Sequence, residues 1–314
     1  MEDITLPEYS PGREFWKEFK KNKLAVAGLA VLCVLAVVAV LGKTFTEYIV
    51  LFNPSTVRLA DKFLPPFSHA SVDIIPNGDV PLRGIYILGT DELGRDVFAR
   101  MLQGTFVSIS IGFIAVGLSV VVGIFLGGVA GFYGQIRIGI FTVDTLVMRF
   151  VDIMLCFPTF FLILTVVALL PPSIYTIMVV IGLTTWMGTA RFVRAEFLTL
   201  RETDFVVAAK ALGIPEYRQI FFHMVPNAIA PVLVSATIGV ASAILTESGL
   251  SFLGFGVQPP DASWGNILSD GKGFIFDAPW LTFIPGFTIL IVVLAFNLCG
   301  EGLREAINPQ LRKR

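Results

Sequence analysis

Charge is scarce in this chain: only 15% of its 314 residues are Asp, Glu, Lys or Arg, against about a quarter in an average soluble domain. That excludes an ordinary water-facing globular protein. Cysteine is nearly absent too. The three present, Cys33, Cys156 and Cys299, fall in apolar stretches, and an odd number with none in the polar segments excludes a disulfide framework. The two histidines, His69 and His223, are far apart, so neither a metal site nor a catalytic dyad is implied. Leu41-Gly42-Lys43-Thr44 ends like a phosphate-binding loop, but the first glycine is missing, its place taken by Val37, and the segment leaves an apolar helix instead of a strand. ATP is therefore not expected to be hydrolysed by this chain. With a net charge of −1, nothing points to nucleic acid.

Apolar residues are abundant instead, at 55% of the chain with a mean hydropathy of +0.79. A helix that crosses a bilayer needs about 20 mostly apolar residues. Stretches 24–41, 106–132, 150–170, 173–190, 228–245 and 280–300 meet that need. The third and fourth are parted only by Pro171 and Pro172, which predicts a tight hairpin. The first is longer than a signal-peptide core and is followed by Lys43-Thr44 with no small-residue cleavage site, so it is expected to remain as a span. If the N-terminus is cytosolic, most of the 23 basic residues lie inside, from Arg13, Lys17, Lys20, Lys21 and Lys23 to the terminal Arg312, Lys313 and Arg314. Both termini are thus assigned to the cytosol. The expected organisation is a cytosolic amphipathic segment over 1–23, a first transmembrane helix over 24–42 and an extracytoplasmic loop region over 43–105. A five-helix core over 106–300, with a cytosolic loop over 191–227, and a cytosolic tail over 301–314 complete it.

The loop between the fourth and fifth spans carries a polar, helix-turn-helix-like stretch, FVVAAKALGIPEYRQIFFHMVPNAIAP from Phe205 to Pro231. Ala208 to Leu212 favour helix, Gly213 supplies a left-handed stop, and Pro215 suits the start of a second helix. The small faces of Ala208 and Ala209 would admit a closely approaching surface, and Tyr217, Ile220 and Phe221 offer apolar contact at helical spacing. The stretch is either an amphipathic linker at the headgroups or a docking element for another protein. Within the spans, Gly123, Gly127 and Gly131 recur at every fourth residue, a small-residue face for packing within the chain or against a partner. Pro158, Pro231 and Pro285 predict bends, and Arg149 and Asp152 are expected to pair. On the outer side, Thr90 is placed to cap a short helix. Asp91, Glu92, Arg95 and Asp96 form either a self-satisfied ion-pair cluster or a surface that meets a substrate-delivery protein.

Ala208-Ala209, Gly213 and Pro226 stand at the spacing of the EAA loop of ABC-transporter permeases, with Val207 where that loop has its glutamate. His223-Met224-Val225-Pro226-Asn227 is similar to the peptide-type version. LGTDELGRDV, starting at Leu88, resembles the extracytoplasmic motif of C-type dipeptide/oligopeptide permease subunits. FWKEFKKNKLAVAGLAVL, starting at Phe15, resembles their entry segment, in which a helix with Phe15, Trp16 and Phe19 lies on the membrane. ESGLSFLGFGVQPP from Glu247, Ser263-Trp264-Gly265-Asn266, Asn297, Gly300, Gly302-Leu303-Arg304 and Asn308-Pro309 also fit that subfamily.

The resemblance implies an all-α polytopic membrane protein of the cell (inner) membrane, with six transmembrane helices and the type I ABC importer permease fold. It implies a pore shared with a homologous second permease subunit, two cytosolic ATPase subunits that carry ATP and Mg, and an extracytoplasmic solute-binding protein. No cofactor is expected on this chain. ATPase coupling would fall to Ala208, Ala209, Gly213, Pro215, Tyr217 and Pro226, and binding-protein docking to Asp91, Glu92, Arg95 and Asp96. The subfamily handles short peptides, and close relatives import oligosaccharides or nickel. The weakly polar lining expected from Thr165, Thr184, Thr185, Ser235 and Thr237 leaves selection mainly to the binding protein. An ion-coupled secondary transporter is the runner-up, opposed by the scarcity of ionisable residues in mid-membrane. A scaffold or sensor without transport is the third possibility.

Overall fold

The computed structural model of the chain describes residues 11–48, 53–71 and 84–307. The first ten residues, the outer-loop prolines Pro76 and Pro81, and the tail beyond Ile307 with Asn308-Pro309 and the terminal basic residues lie outside them. The architecture is helical: α1 Pro11–Phe19, α2 Lys23–Tyr48, α3 Val97–Phe132, α4 Val143–Leu155, α5 Thr159–Leu169, α6 Ile174–Leu200 and α7 Asp204–Ala211. There follow α8 Glu216–Arg218, a π-turn Gln219–Met224, α9 Val225–Phe252, α10 Trp264–Gly271 and α11 Trp280–Ile307. A 3-10 turn over Leu59–Asp61 and two short antiparallel strand pairs, β1 Ser68–His69 with β2 Ile85–Tyr86 and β3 Arg137–Ile138 with β4 Phe141–Thr142, complete the described elements.

Among the described residues, five helices are long and apolar enough to cross a bilayer: Lys23–Tyr48, Val97–Phe132, Ile174–Leu200, Glu216–Phe252 and Trp280–Ile307. The expected continuous third span over 150–170 is instead α4 and α5, bent by 81°. The break has a local cause. Pro158 has no N–H to continue the ladder and disfavours helix at Phe157, yet its φ of −59° suits the start of α5. Pro231 and Pro285, by contrast, sit inside α9 and α11, which continue through them as helices. The Pro171-Pro172 turn is short, and Ser173 opens α6 by accepting a hydrogen bond from Tyr175 N at 3.3 Å.

The spans run beyond the expected limits. α2 extends to Tyr48, and α3 begins at Val97 inside the region read as outer loop, giving 36 residues or roughly 54 Å at the α-helical rise. In lipid no hydrophobic drive brings helices together, so close backbone approach must do it. α2 accordingly buries only Ala25, Gly28, Ala39 and Gly42 and turns Val34, Val37 and Val40 outward. The main internal seam lies between α3 and α6. A Cβ on Gly123 would fall 2.6 Å from Thr189 Cβ, one on Gly127 2.4 Å from the Ala190 carbonyl, and one on Gly131 2.5 Å from Phe197 Cβ. The glycine face is therefore spent on packing within the chain. Behind it lies an apolar core that includes Ile111, Ile163, Ile181, Ile244 and Val292.

Gly127→Val is expected to force α3 and α6 apart and cost about 1–3 kcal/mol, read as a lower thermal midpoint in detergent. Gly117→Ala, whose added methyl group meets nothing within 4 Å, leaves it unchanged. Equal midpoints for Gly127→Val and the unaltered protein would show that the seam tolerates separation.

Candidate functional site

The loop after α6 is built as a short arm folded back on the bundle. α7 carries Val206 and Ala209 inward, where Val206 joins Val193, Phe197, Met224 and Val232 in a buried cluster. Gly213 takes φ +71° with open space around it, so glycine is needed there for its backbone conformation alone. Pro215 then precedes α8 in extended conformation, and Gln219 Nε2 donates to the Ile214 carbonyl at 2.6 Å, locking the turn. Pro226 cannot donate to the Phe222 carbonyl, and the six residues before Val225 adopt a π-turn. Asn227 Nδ2 reaches back to the His223 carbonyl at 2.6 Å. The second arm of the corner is therefore the beginning of a helix long enough to cross a bilayer, since Glu216–Phe252 runs as one helix.

The outward face carries Phe205, Val207, Ala208, Leu212, Tyr217, Phe221 and Phe222, all exposed. Ala208 and Ala209, read together from the sequence as one contact face, point opposite ways. Ala209 is 4% exposed and supports the arm from inside. Ile220 likewise packs inward against the Val206 cluster. Tyr133 donates to Glu216 Oε2 at 2.9 Å, and Arg201 Nη1 donates to the Phe132 carbonyl at 3.3 Å, so the end of α3 is tied to both sides of the loop. Nearby, Arg194 forks onto Asp144 and Arg191 pairs with Asp152. The expected Arg149–Asp152 pair is thus replaced by one between α4 and α6; Arg149 is exposed.

The charge cluster ahead of α3 takes the self-satisfied form of the two readings the residues allow. Asp91 and Arg95 are buried, which corrects their placement on an exposed docking surface. Asp91 accepts from Leu93 N and Arg95 N at 2.9 Å each, and from Arg95 Nε and Arg100 Nη1 at 2.6 Å each. Both guanidinium groups also reach Asp270 of α10, at 3.2 and 2.8 Å. Two cations and two anions so cancel in a closed quartet that joins the loop to α3 and α10. Thr90 does not cap a helix: its hydroxyl donates to the Asp61 carbonyl at 2.5 Å and accepts from Leu64 N at 2.8 Å. The cap of α3 is Asp96, which accepts from Phe98 N at 2.8 Å, and burial pushes its carboxyl up to about 6. Of the four residues only Glu92 keeps a half-exposed position outside both the quartet and the cap. Beneath them, burial pushes the Asp61 carboxyl up, but hydrogen bonds from Ser71 and Tyr86 and the charge of Arg58 outweigh it and leave it below its ordinary value.

Between α3, α6 and α9 lies a groove of about 230 Å³ lined by Ser119, Thr185, Thr189, Ser235, Ser242 and Thr246 among apolar and glycine residues. Thr185, Ser242 and Thr246 donate to carbonyls of their own helices, so the wall is weakly polar. Thr185 and Ser235 are where the sequence suggests a lining. Thr184 is buried on Val180, Thr165 donates to Phe161, and Thr237 donates to Val234; none of the three lines the groove. Besides Arg100 and Asp270, a third polar residue was given no role from the sequence beyond its motif: Glu247, fully buried, accepts from Ser251 at 2.7 Å and Ser263 at 2.8 Å, with Ser108 at 3.5 Å. Its signal was available, since an acid inside an apolar stretch needs partners.

Residues 119–313 match the family model of binding-protein-dependent transport system inner membrane components, and residues 10–66 match that of the N-terminal TM domain of oligopeptide transport permease C. The dipeptide transport system permease protein DppC of Alkalihalophilus pseudofirmus is 38% identical over 96% of this chain and 91% of its own length. The oligopeptide transport system permease protein OppC of Bacillus subtilis is 35% identical over 99% and 94%. Among solved structures, an inward-facing form of the MetNI methionine ABC transporter shares the fold, with a TM-score of 0.52 and 18% identity over 67% of this chain and 98% of that one.

Asp91→Asn leaves two buried guanidinium groups short of charge and is expected to cost about 3–5 kcal/mol, seen as lost expression or assembly. Glu92→Gln is expected to leave both unchanged, and equal losses for the two variants would remove the quartet's structural role. Asp96 binds its proton more tightly folded than unfolded, so its contribution to stability is full below its ordinary value of 3.8 and is lost as pH rises through about 6. Asp96→Asn keeps a capping side chain. Its thermal midpoint relative to the unaltered protein is therefore expected to improve steadily across that window, and a pH-independent difference would refute the assignment.

Proposed function

The chain belongs to the family of binding-protein-dependent transport system inner membrane components, and from that premise we propose that it forms half of the translocation pathway of an ATP-driven importer of short peptides. A homologous permease subunit supplies the other half, two cytosolic ABC ATPases bind ATP and Mg, and an extracytoplasmic binding protein delivers the peptide. Both termini face the cytosol, in accord with the basic-residue bias. The dipeptide and oligopeptide names of the relatives favour peptide over oligosaccharide or nickel.

The observation that carries the coupling is the exposed apolar face of Phe205, Val207, Ala208, Leu212, Tyr217 and Phe221 around the Gly213 turn. With Val207 in place of an acid, the contact rests on shape and apolar burial. An ATPase pushing on this face moves α7, and α7 is locked to α6 and α9 through Val206, Phe197 and Met224. Packed bundles shift as rigid bodies between discrete arrangements, so the push alternates access to the groove between α3, α6 and α9. The groove's alcohols offer a passing peptide weak hydrogen bonds and no fixed charge. Selection is then made by the binding protein.

Leu212→Asp and Tyr217→Asp place a charge in the proposed interface from exposed positions. In the reconstituted complex each is expected to lower binding-protein-stimulated ATP turnover at least tenfold, because a desolvated unpaired charge costs about 2–5 kcal/mol, while the chain still inserts and folds. Ala209→Glu, which buries a carboxylate beneath α7, is expected to lower expression instead. Unchanged stimulation in both Asp variants would reject the docking face.

A further inference from the structure

We infer that the outward face of α1 binds the phosphate of an anionic phospholipid in the adjoining leaflet. Arg13, Trp16, Lys17 and Lys20 recur at helical spacing and are all exposed, Trp16 at 49%. They line one shallow groove together with Gly12. Among the described residues no acid shares this face. Glu14 and Glu18 are less exposed and lie on other sides, Glu18 bonding Lys21 at 2.8 Å.

The opposite side fixes the helix so that the basic face cannot turn away. Phe19 is 3% exposed and packs in one buried cluster with Ala25, Cys299 and Ala306, with Phe15 against it. Its ring lies so close to Gly302 that a Cβ there would come within 3.2 Å. Asn22 Nδ2 donates to Glu305 at 2.8 Å, and Asn22 Oδ1 accepts from Ala25 N at 3.0 Å, clamping the corner between α1 and α2 to α11. α2 enters the apolar zone immediately after this corner, which holds α1 at headgroup depth, where an indole ring partitions well. A guanidinium matches phosphate oxygens in a two-pronged fashion, and the two ammonium groups add charge on either side. Basic residues at an anionic surface each contribute roughly fivefold in affinity, so the trio gives roughly a hundredfold preference over a zwitterionic lipid. The site belongs to the cytosolic leaflet under the orientation proposed above, but its lipid preference depends on neither orientation nor transport.

The test uses the full-length protein in nanodiscs, with lipids brominated near the carbonyl as quenchers and Trp16 fluorescence taken as the difference from Trp16→Phe. Brominated phosphatidylglycerol is expected to quench Trp16 at a mole fraction at least tenfold below that needed of brominated phosphatidylcholine. Arg13→Gln/Lys17→Gln/Lys20→Gln abolishes that preference, and Lys17→Arg/Lys20→Arg retains it. Inorganic phosphate in excess leaves quenching unchanged. Equal quenching by the two lipids, or a triple variant that keeps the preference, overturns the inference. Displacement by inorganic phosphate also overturns it, by marking a soluble-anion site. Because the readout needs neither ATPase nor binding protein, its failure is distinct from failure of the transport reading.

Discussion

Backbone-to-backbone contact between α3 and α6 is the constraint on which the rest of the bundle depends. Lipid tails solvate Leu and Val as well as a protein interior does, so large side chains give two membrane helices little reason to meet. Gly123, Gly127 and Gly131 let α3 lie directly on the Thr189-to-Phe197 stretch of α6, too close for any Cβ between them. With that seam set, α6 carries the α7 arm at one end, and α9 closes the groove against both helices. The same logic governs α2, whose Gly28 lies against the Ala295 carbonyl of α11 and whose Gly42 lies against the Leu102 carbonyl of α3.

Polar groups do a complementary task at the opposite end of the bundle. A carboxylate or guanidinium out of water is tolerated only with its partners in place. Asp91, Arg95, Arg100 and Asp270 complete one such set, and Glu247 with Ser108, Ser251 and Ser263 completes another. Each joins segments far apart in sequence, so the loop ahead of α3, the start of α3 and the α9–α10 connection are tied together. Trp280 of α11 adds a bond from its indole to the Thr90 carbonyl at 3.1 Å.

The end that carries α7 is arranged differently, with apolar groups left outside. Phe205, Leu212, Tyr217, Phe221 and Phe222 are left exposed by the described residues, whereas the residues that position them, Val206, Ala209, Gln219 and Met224, are buried. Hydrogen bonds from Tyr133 and Arg201 extend the support to α3. A force applied to such an arm is carried into three helices instead of bending a loose loop.

Much of this was legible in the residues. Apolar run length gave the approximate place of five of the six expected membrane segments, Gly213 and Pro215 marked the turn after α7, and the every-fourth-residue glycines marked a close-packing face, because each follows from local backbone chemistry. What local chemistry leaves open is direction. Ala208 and Ala209 are neighbours of equal size, and only the docking of α7 on Phe197 and Met224 sends one inward and leaves the other out. Asp91 and Glu92 are equally acidic in sequence. Arg100 and Asp270, nine and 179 residues from Asp91, become its partners only when α3 and α10 meet, and that meeting turns a cluster that reads as exposed into a buried one. Asp152 had Arg149 within helical reach, yet Arg191 took it once α4 lay across α6. Sequence by itself determined which segments enter the membrane and where the chain turns, since these depend on transfer free energy and backbone freedom residue by residue. Tertiary structure alone decided which charges pair and which apolar faces stay uncovered, since both depend on which helices are neighbours.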